Sequence, residues 1–173
     1  MSERNGYGPG VPCWIDTWQP DADAAVAFYT AELFGWEAED TMPPGVPGKH
    51  FMCRLRGRDV AAIASRPDAA PPVTAWGTYV QVDDVDEAVR SALGAGGRVV
   101  LDPFGALDGG RIAVVADPAG AALGVWRPAE HRGAELVNEP GAWAMSGLST
   151  PDPETARAFY GRVFGWRRTT SGR

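Results

Sequence analysis

Apolar positions fall at helical spacing over residues 20–36 and again over 151–166, and much of the chain between them is patterned as strands and turns. The two helical stretches are copies. PDADAAVAFYTAELFGW and PDPETARAFYGRVFGW share Pro20/Pro151, Asp21/Asp152, Ala25/Ala156, Ala27/Ala158, Phe28/Phe159 and Tyr29/Tyr160. The match then slips by one residue before Phe-Gly-Trp, because the first copy has TAEL where the second has GRV. A repeat of this kind fixes the unit of folding. Asp21 is placed to cap a helix. Ala25, Phe28, Tyr29 and Leu33 fall on one face of it, with the Phe-Tyr pair read as helix core. Gly35 stops it. Ahead of it, Cys13 to Trp18 is aromatic, β-branched and two-faced, which predicts a strand.

After this helix the pattern predicts a strand over 36–40, a turn-rich segment over 42–48, and strands over 49–56 and 60–65 about Gly57-Arg58-Asp59. A Pro-rich connection over 66–74 follows. A second round begins at Trp76: a strand over 77–82, then a helix capped by Asp83 that carries Ala88, Val89, Ala92 and Leu93 and ends at Gly96-Gly97. Strands over 98–101, 111–116 and 121–126 complete it, the last two joined by an Asp117-Pro118-Ala119-Gly120 turn. Residues 11–128 thus read as strand, helix and three strands, twice over, in modules 11–66 and 75–128. Residues 1–10 read as a flexible arm and 129–140 as a polar connector. Residues 141–173 read as the strand and helix that open an incomplete second domain. Its apolar helix face (Ala156, Phe159, Tyr160, Val163, Phe164) has no following module to cover it. It is expected to dock on the sheet edge of its own domain or, preferably, to be exchanged with a second chain in a homodimer.

Composition narrows the class. A chain of 173 residues, 45% hydrophobic and 22% charged, has the makings of a globular core. A net charge of −6 speaks against nucleic-acid and anionic-membrane surfaces, which need clustered Lys and Arg. There is neither an apolar run near 18 residues nor a signal-like N-terminus, and the expected location is cytoplasmic. Cys13 and Cys53 read as buried thiols.

The strand-PD-helix-FY-FGW opening, the VDD-helix-GG segment and the DPAG turn together resemble the vicinal oxygen chelate superfamily of glyoxalases, extradiol dioxygenases, fosfomycin-modifying enzymes and bleomycin-sequestering proteins. The opening GVPCWIDTWQPD is most similar to tandem-domain actinobacterial members labelled glyoxalase-like or hydroxylase. The resemblance covers 11–128 as one paired-module domain and 141–173 as the start of another. It implies an α+β fold in which paired βαβββ modules form a cupped mixed sheet with helices outside. It also implies metal-ligand positions near Trp14, Ala62, Gly77 and Gly124, with Met145 at the corresponding place in the third round. None of those four offers a donor that binds a divalent metal, so no metal and no cofactor are expected.

With Trp14 on the cup face, strand alternation brings Asp16 and Trp18 to the same face and sends Cys13, Ile15 and Thr17 under the helices. The same logic turns Gly77, Tyr79 and Gln81 inward on the next module, with Gly124 and Trp126 opposite. The predicted ligand-binding residues are therefore Trp14, Asp16, Trp18, Tyr79, Gln81 and Trp126, with the glycines leaving room between them. Arg54 and Arg111 are candidate partners for Asp16. His50, lacking a companion histidine, reads as a surface residue at a strand start. The set suits a small-molecule pocket for a flat aromatic or cationic compound, held without catalysis as in bleomycin-resistance relatives. The alternative is a glyoxalase-like or hydroxylase-type enzyme that uses Asp16 as a base or a metal held by non-standard ligands.

Overall fold

Strand, capped helix and three further strands follow one another twice in the structure, a computed structural model that describes residues 2–68, 70, 72, 74–106, 109–167 and 169. In chain order these are β1 (Pro12–Gln19), α1 (Ala22–Ala27) running into a π-helical turn (Phe28–Phe34), β2 (Glu37–Asp40), β3 (His50–Leu55) and β4 (Arg58–Ser65). The second round is β5 (Trp76–Gln81), α2 (Val85–Gly94), β6 (Arg98–Gly105), β7 (Arg111–Ala116) and β8 (Ala122–Arg127), followed by α3 (Pro153–Phe164). Positions 69, 71 and 73 of the Pro-rich connection, and the end of the 141–173 segment, lie outside the described residues. The fold is α+β.

The chain divides into two compact units. The first comprises Met1–Tyr7, Cys13–Thr78 and Arg132–Ser146, and the second Gly8–Pro12, Tyr79–His131 and Gly147–Arg173. Within the first, the strand order is β2-β3-β4-β1, and within the second β6-β7-β8-β5. In both, the first strand of the round runs parallel to the last, and the remaining pairings are antiparallel. β3 and β4 are joined through Arg56 and Gly57, both at positive φ (56° and 72°), as a tight two-residue hairpin turn requires.

In the first unit Asp21 caps α1, its carboxylate accepting from the Ala24 N–H at 2.9 Å. Ala25, Val26 and Tyr29 then pack with Ile15, Phe51, Cys53, Ala61 and Ile63. Phe28 and Leu33, expected on that same face, are each 51% exposed. For Leu33 the cause is the π turn, which takes more residues per turn than an α-helix and rotates the following side chains off the expected stripe. Phe28 stands at its start, still bonded to Ala24 as in an α-helix. Residues 2–7, expected as a loose arm, are bonded to the 134–137 stretch: Arg4 N–H donates to the Glu135 carbonyl at 2.8 Å, and Val137 N–H to that of Ser2 at 2.9 Å. The expected polar connector accordingly carries buried Ala134, Leu136 and Val137, and Leu136 joins the core of this unit.

In the second unit the cap of α2 is Asp84, one residue later than expected, accepting from Glu87 N–H at 2.9 Å. The strand expected after Gly141 does not form. The helix does: Asp152 caps α3 through Thr155 N–H at 3.0 Å. Phe159 is wholly buried against Val85, Ala88, Val89 and Ala92 of α2 and the sheet beneath, with Tyr160, Val163 and Phe164 packed around it. In this single chain the apolar face packs on the helical side of the sheet of its own unit, and not at the sheet edge. Burial of a ring that size contributes on the order of 1.5–3 kcal/mol. Gly97 makes it fit, since a Cβ there would meet the Phe159 ring at 2.7 Å.

Candidate functional site

Register fixes which side chains share the open face of the first sheet. Phe51 and Ile63 pack under the helix, so their neighbours point the other way. His50 pairs with Ala64 and Ala64 with Trp18, giving one row across β3, β4 and β1. Glu39, Met52, Ala62 and Asp16 form the next. Trp14, Asp16 and Trp18 therefore share a face, as the alternation predicts. Trp14 is buried, and Asp16 and Trp18 are partly exposed. Ala62 and Ala64 are covered methyl groups between larger residues, and the indole of Trp18 and the imidazole of His50 stand two strand spacings apart, about 9.5 Å.

Two residues beyond this row, past the ends of β1 and β4, lies a cavity. Gln19 and Ser65 are paired at the ends of β1 and β4, and the residues that follow them, Pro20 and Arg66, line a half-open cleft of about 410 Å³ with Pro67, Asp68, Ala70 and Pro72. The cleft is large enough for a small molecule, but its wall is more polar than the apolar lining usual for such sites. Arg66 and Asp68 bring one charge of each sign to its wall. Prolines at 67, 71 and 72 look like punctuation, so the sequence predicts only a connection here.

His50 opens β3 as expected, and its ring is partly buried on this face. Its Nδ1 lies 2.8 Å from Thr41 Oγ1, and burial lowers its pKa below the usual histidine value, with the Asp40 charge opposing. Asp40 accepts from the His50 and Met42 N–H groups and pairs with Lys49 at 3.0 Å. Those partners hold its carboxyl below the usual carboxylate range. The neck of the 42–48 loop is thus cinched by polar contacts. Arg54 and Arg111, the candidate partners for Asp16, are engaged elsewhere: Arg54 binds Glu39 at 2.6 Å and Asp59 at 2.8 Å, and Arg111 binds Asp86 at 2.9 Å.

In the second unit, Tyr79 pairs with Gly124 and Gln81 with Trp126 on β5 and β8, so these predicted residues do share a face. That face is filled. The Tyr79 ring lies directly over Gly124, in the space that a side chain there would take, and Tyr79 is buried. The glycine that was expected to leave room for a ligand makes room for a phenol. Trp126 is 2% exposed, its Nε1–H donates to the Gly109 carbonyl at 2.5 Å, and its ring lies 5.3 Å from that of His131. Gln81 donates and accepts along the backbone with Val11 and Gly10.

The positions where the resemblance places metal ligands do not fit a metal. Trp14 and Ala62 are buried without a donor suited to a divalent cation, Gly77 has no side chain, and Gly124 is roofed by Tyr79. Among the described residues no three His, Cys, Asp or Glu side chains converge into a metal-binding group. No helix among them is long and apolar enough to cross a membrane. Cys13 and Cys53 are fully buried thiols outside any disulfide, and burial raises the Cys53 pKa to about 12.

Residues 14–125 match the glyoxalase/bleomycin resistance protein/dioxygenase superfamily. The chain is 43% identical over 169 residues to the provisionally named glyoxylase CFP32 of Mycobacterium bovis, covering 95% of this chain and 64% of that protein. It is 37% identical over 180 residues to the anthracycline biosynthesis protein DauV of a Streptomyces species, covering 96% of this chain and 65% of that one. The chain thus spans just under two thirds of the length of these curated relatives. Among solved structures, the Mn(II)-bound glyoxalase from Novosphingobium aromaticivorans matches with a TM-score of 0.57 at 18% identity, over 92% of this chain and 54% of that one. At that identity the likeness concerns the fold.

Proposed function

The chain belongs to the glyoxalase/bleomycin resistance protein/dioxygenase superfamily, and from that premise we propose that it binds a small flat aromatic or cationic compound on the sheet face of its first unit, without a divalent metal at the usual ligand positions. The observation that carries this reading is the row from His50 over Ala64 to Trp18, two residues along β1 and β4 from the Pro20–Arg66 cleft. A partly exposed indole stacks planar rings and attracts cations. Asp16, one row away, adds a negative charge. The filled face of the second unit leaves its Tyr79 and Trp126 as structural rings in this reading. The relative named for anthracycline biosynthesis supports a planar polycyclic compound as the first to try. The experiment is a thermal-shift and tryptophan-fluorescence titration of chelator-treated protein with an anthracycline, alongside elemental analysis of the untreated protein. Saturable quenching that survives chelation supports the reading; binding that needs one bound metal per chain defeats it.

A glyoxalase-like enzyme using Asp16 as general base is a second reading, supported by the glyoxylase name of the mycobacterial relative. It takes first place if Asp16→Asn removes turnover of a substrate while leaving its affinity intact.

A further inference from the structure

Only one tautomer of His50 turns both of its contacts with the Thr41 hydroxyl into hydrogen bonds. The hydroxyl oxygen lies 3.0 Å from the His50 carbonyl oxygen, which can only accept, so the single hydroxyl hydrogen is given there. The 2.8 Å contact between that same hydroxyl oxygen and His50 Nδ1 then needs a hydrogen on Nδ1. Nε2 is left with a bare lone pair. The contact of the His50 ring with Thr41 is at Nδ1, and the residue as a whole is only partly buried. The backbone of His50 is pinned as well, through its N–H to Asp40 and its carbonyl to Thr41 N–H at 2.8 Å. The ring is therefore a positioned acceptor on the same row as Trp18.

We propose that His50 Nε2 is the hydrogen-bond acceptor that selects ligands bearing a hydroxyl group on a flat aromatic ring, with Trp18 supplying the stacking surface across Ala64. The inference rests on the first unit's face being the binding face. The loss of ring charge through burial keeps Nε2 available as an acceptor near neutral pH, although Asp40 and Lys49 beside it and Glu39 and Asp16 in the next row also shape the local field. The packing of Phe51 and Ile63 under the helix and the pairing of His50 with Ala64 place His50 on this face, and the Thr41 contacts favour Nε2 as the acceptor nitrogen.

The test uses two probes, 2-naphthol and 2-methoxynaphthalene, titrated calorimetrically at about pH 7.5, above the ordinary histidine range. The wild type should prefer 2-naphthol by about three- to tenfold, the worth of one hydrogen bond made in water. His50→Leu should bind both probes alike and keep its affinity for the methoxy compound within about twofold, and His50→Gln, whose amide oxygen can stand near Nε2, should recover part of the preference. Should the leucine variant fail to fold, the wild type decides by nitrogen NMR: 2-naphthol should move the His50 Nε2 resonance and 2-methoxynaphthalene should not. Equal affinity for the two probes, or an unmoved Nε2 resonance at saturation, overturns the role of His50 while leaving the binding face intact. Failure of both probes to bind defeats the binding face itself, and this inference with it.

Discussion

The rings of Tyr29 and Phe34 stack 6.1 Å apart and within 9° of parallel, five residues apart in sequence, while Tyr160 and Phe164 stack at 6.4 Å only four apart. The extra residue of the first copy is taken up by the π turn, so the aromatic arrangement is kept. Each copy then closes alike: Trp36 Nε1–H donates to the Gly141 carbonyl at 2.7 Å, and Trp166 Nε1–H to that of Gly10 at 2.6 Å. Deleting Ala31 should convert the π turn to α-helix with Tyr and Phe now at four-residue spacing. The expected outcome is an unchanged or higher melting temperature with helical circular dichroism retained; a loss above about 2 kcal/mol would mean that the π turn is itself required.

The same motif position has opposite surroundings in the two units. Phe159 is 1% exposed and Phe28 51%. Phe159→Ala should cost about 3–5 kcal/mol in denaturant unfolding, and Phe28→Ala less than about 1 kcal/mol. Similar losses at both sites would contradict the packing of α3 on α2.

Gly124 is glycine because of the ring above it, without any demand for left-handed backbone. Gly124→Ala should destabilise by about 1–3 kcal/mol through overpacking. In a double-mutant cycle with Tyr79→Ala, the two losses should add to more than the double variant shows. Strict additivity would place Tyr79 elsewhere.

Much of the architecture could be read in advance for a simple reason: caps, glycine stops and strand alternation are local. Asp21 and Asp152 cap where the motif says, and Gly35 and Gly165 end their helices in the left-handed region, at φ 67° and 72°. The slip of one residue between the copies was visible, but its absorption into a π turn was not, because an α-period places Phe28 and Leu33 on the buried face. The 134–137 stretch looked like a connector, since its pairing partner lies more than 120 residues away at the N-terminus. At the candidate site, alternation correctly grouped Trp14 with Asp16 and Trp18, and Tyr79 with Gln81. It could not show that Tyr79 would fold over Gly124. His50 escaped because its significance depends on Thr41 across the hairpin and on the face taken by Phe51.

Stability should fall on acidification in two windows. Burial depresses the folded-state pKa of His50, so the unfolded chain takes up its proton first, and stability is lost as pH falls below about 6.5 toward the lower folded value. Asp40 and Asp86 are held below the usual carboxylate range by Lys49 and Arg111, and Asp152 by its capping bonds to Thr155. Their contribution is present above about pH 4 and disappears below it. Denaturant unfolding between pH 8 and 3 should show both declines, and His50→Gln should flatten the upper one alone. An unaltered upper decline in that variant would assign it to another group.

Ligand binding on the face of the first unit requires the partly exposed indole of Trp18. Fluorescence titration of chelator-treated wild type, Trp18→Ala and Trp126→Ala with one anthracycline compares an exposed ring on the proposed face with a buried ring on the filled one. Loss of a stacked indole should weaken binding by about 1–3 kcal/mol in folded Trp18→Ala, by analogy with aromatic stacking on nucleobases. Folded Trp126→Ala should keep its affinity within about threefold, a shift of less than about 0.7 kcal/mol. Undiminished binding by Trp18→Ala, or a greater loss in Trp126→Ala than in Trp18→Ala, would contradict the assignment of the ligand to the first unit.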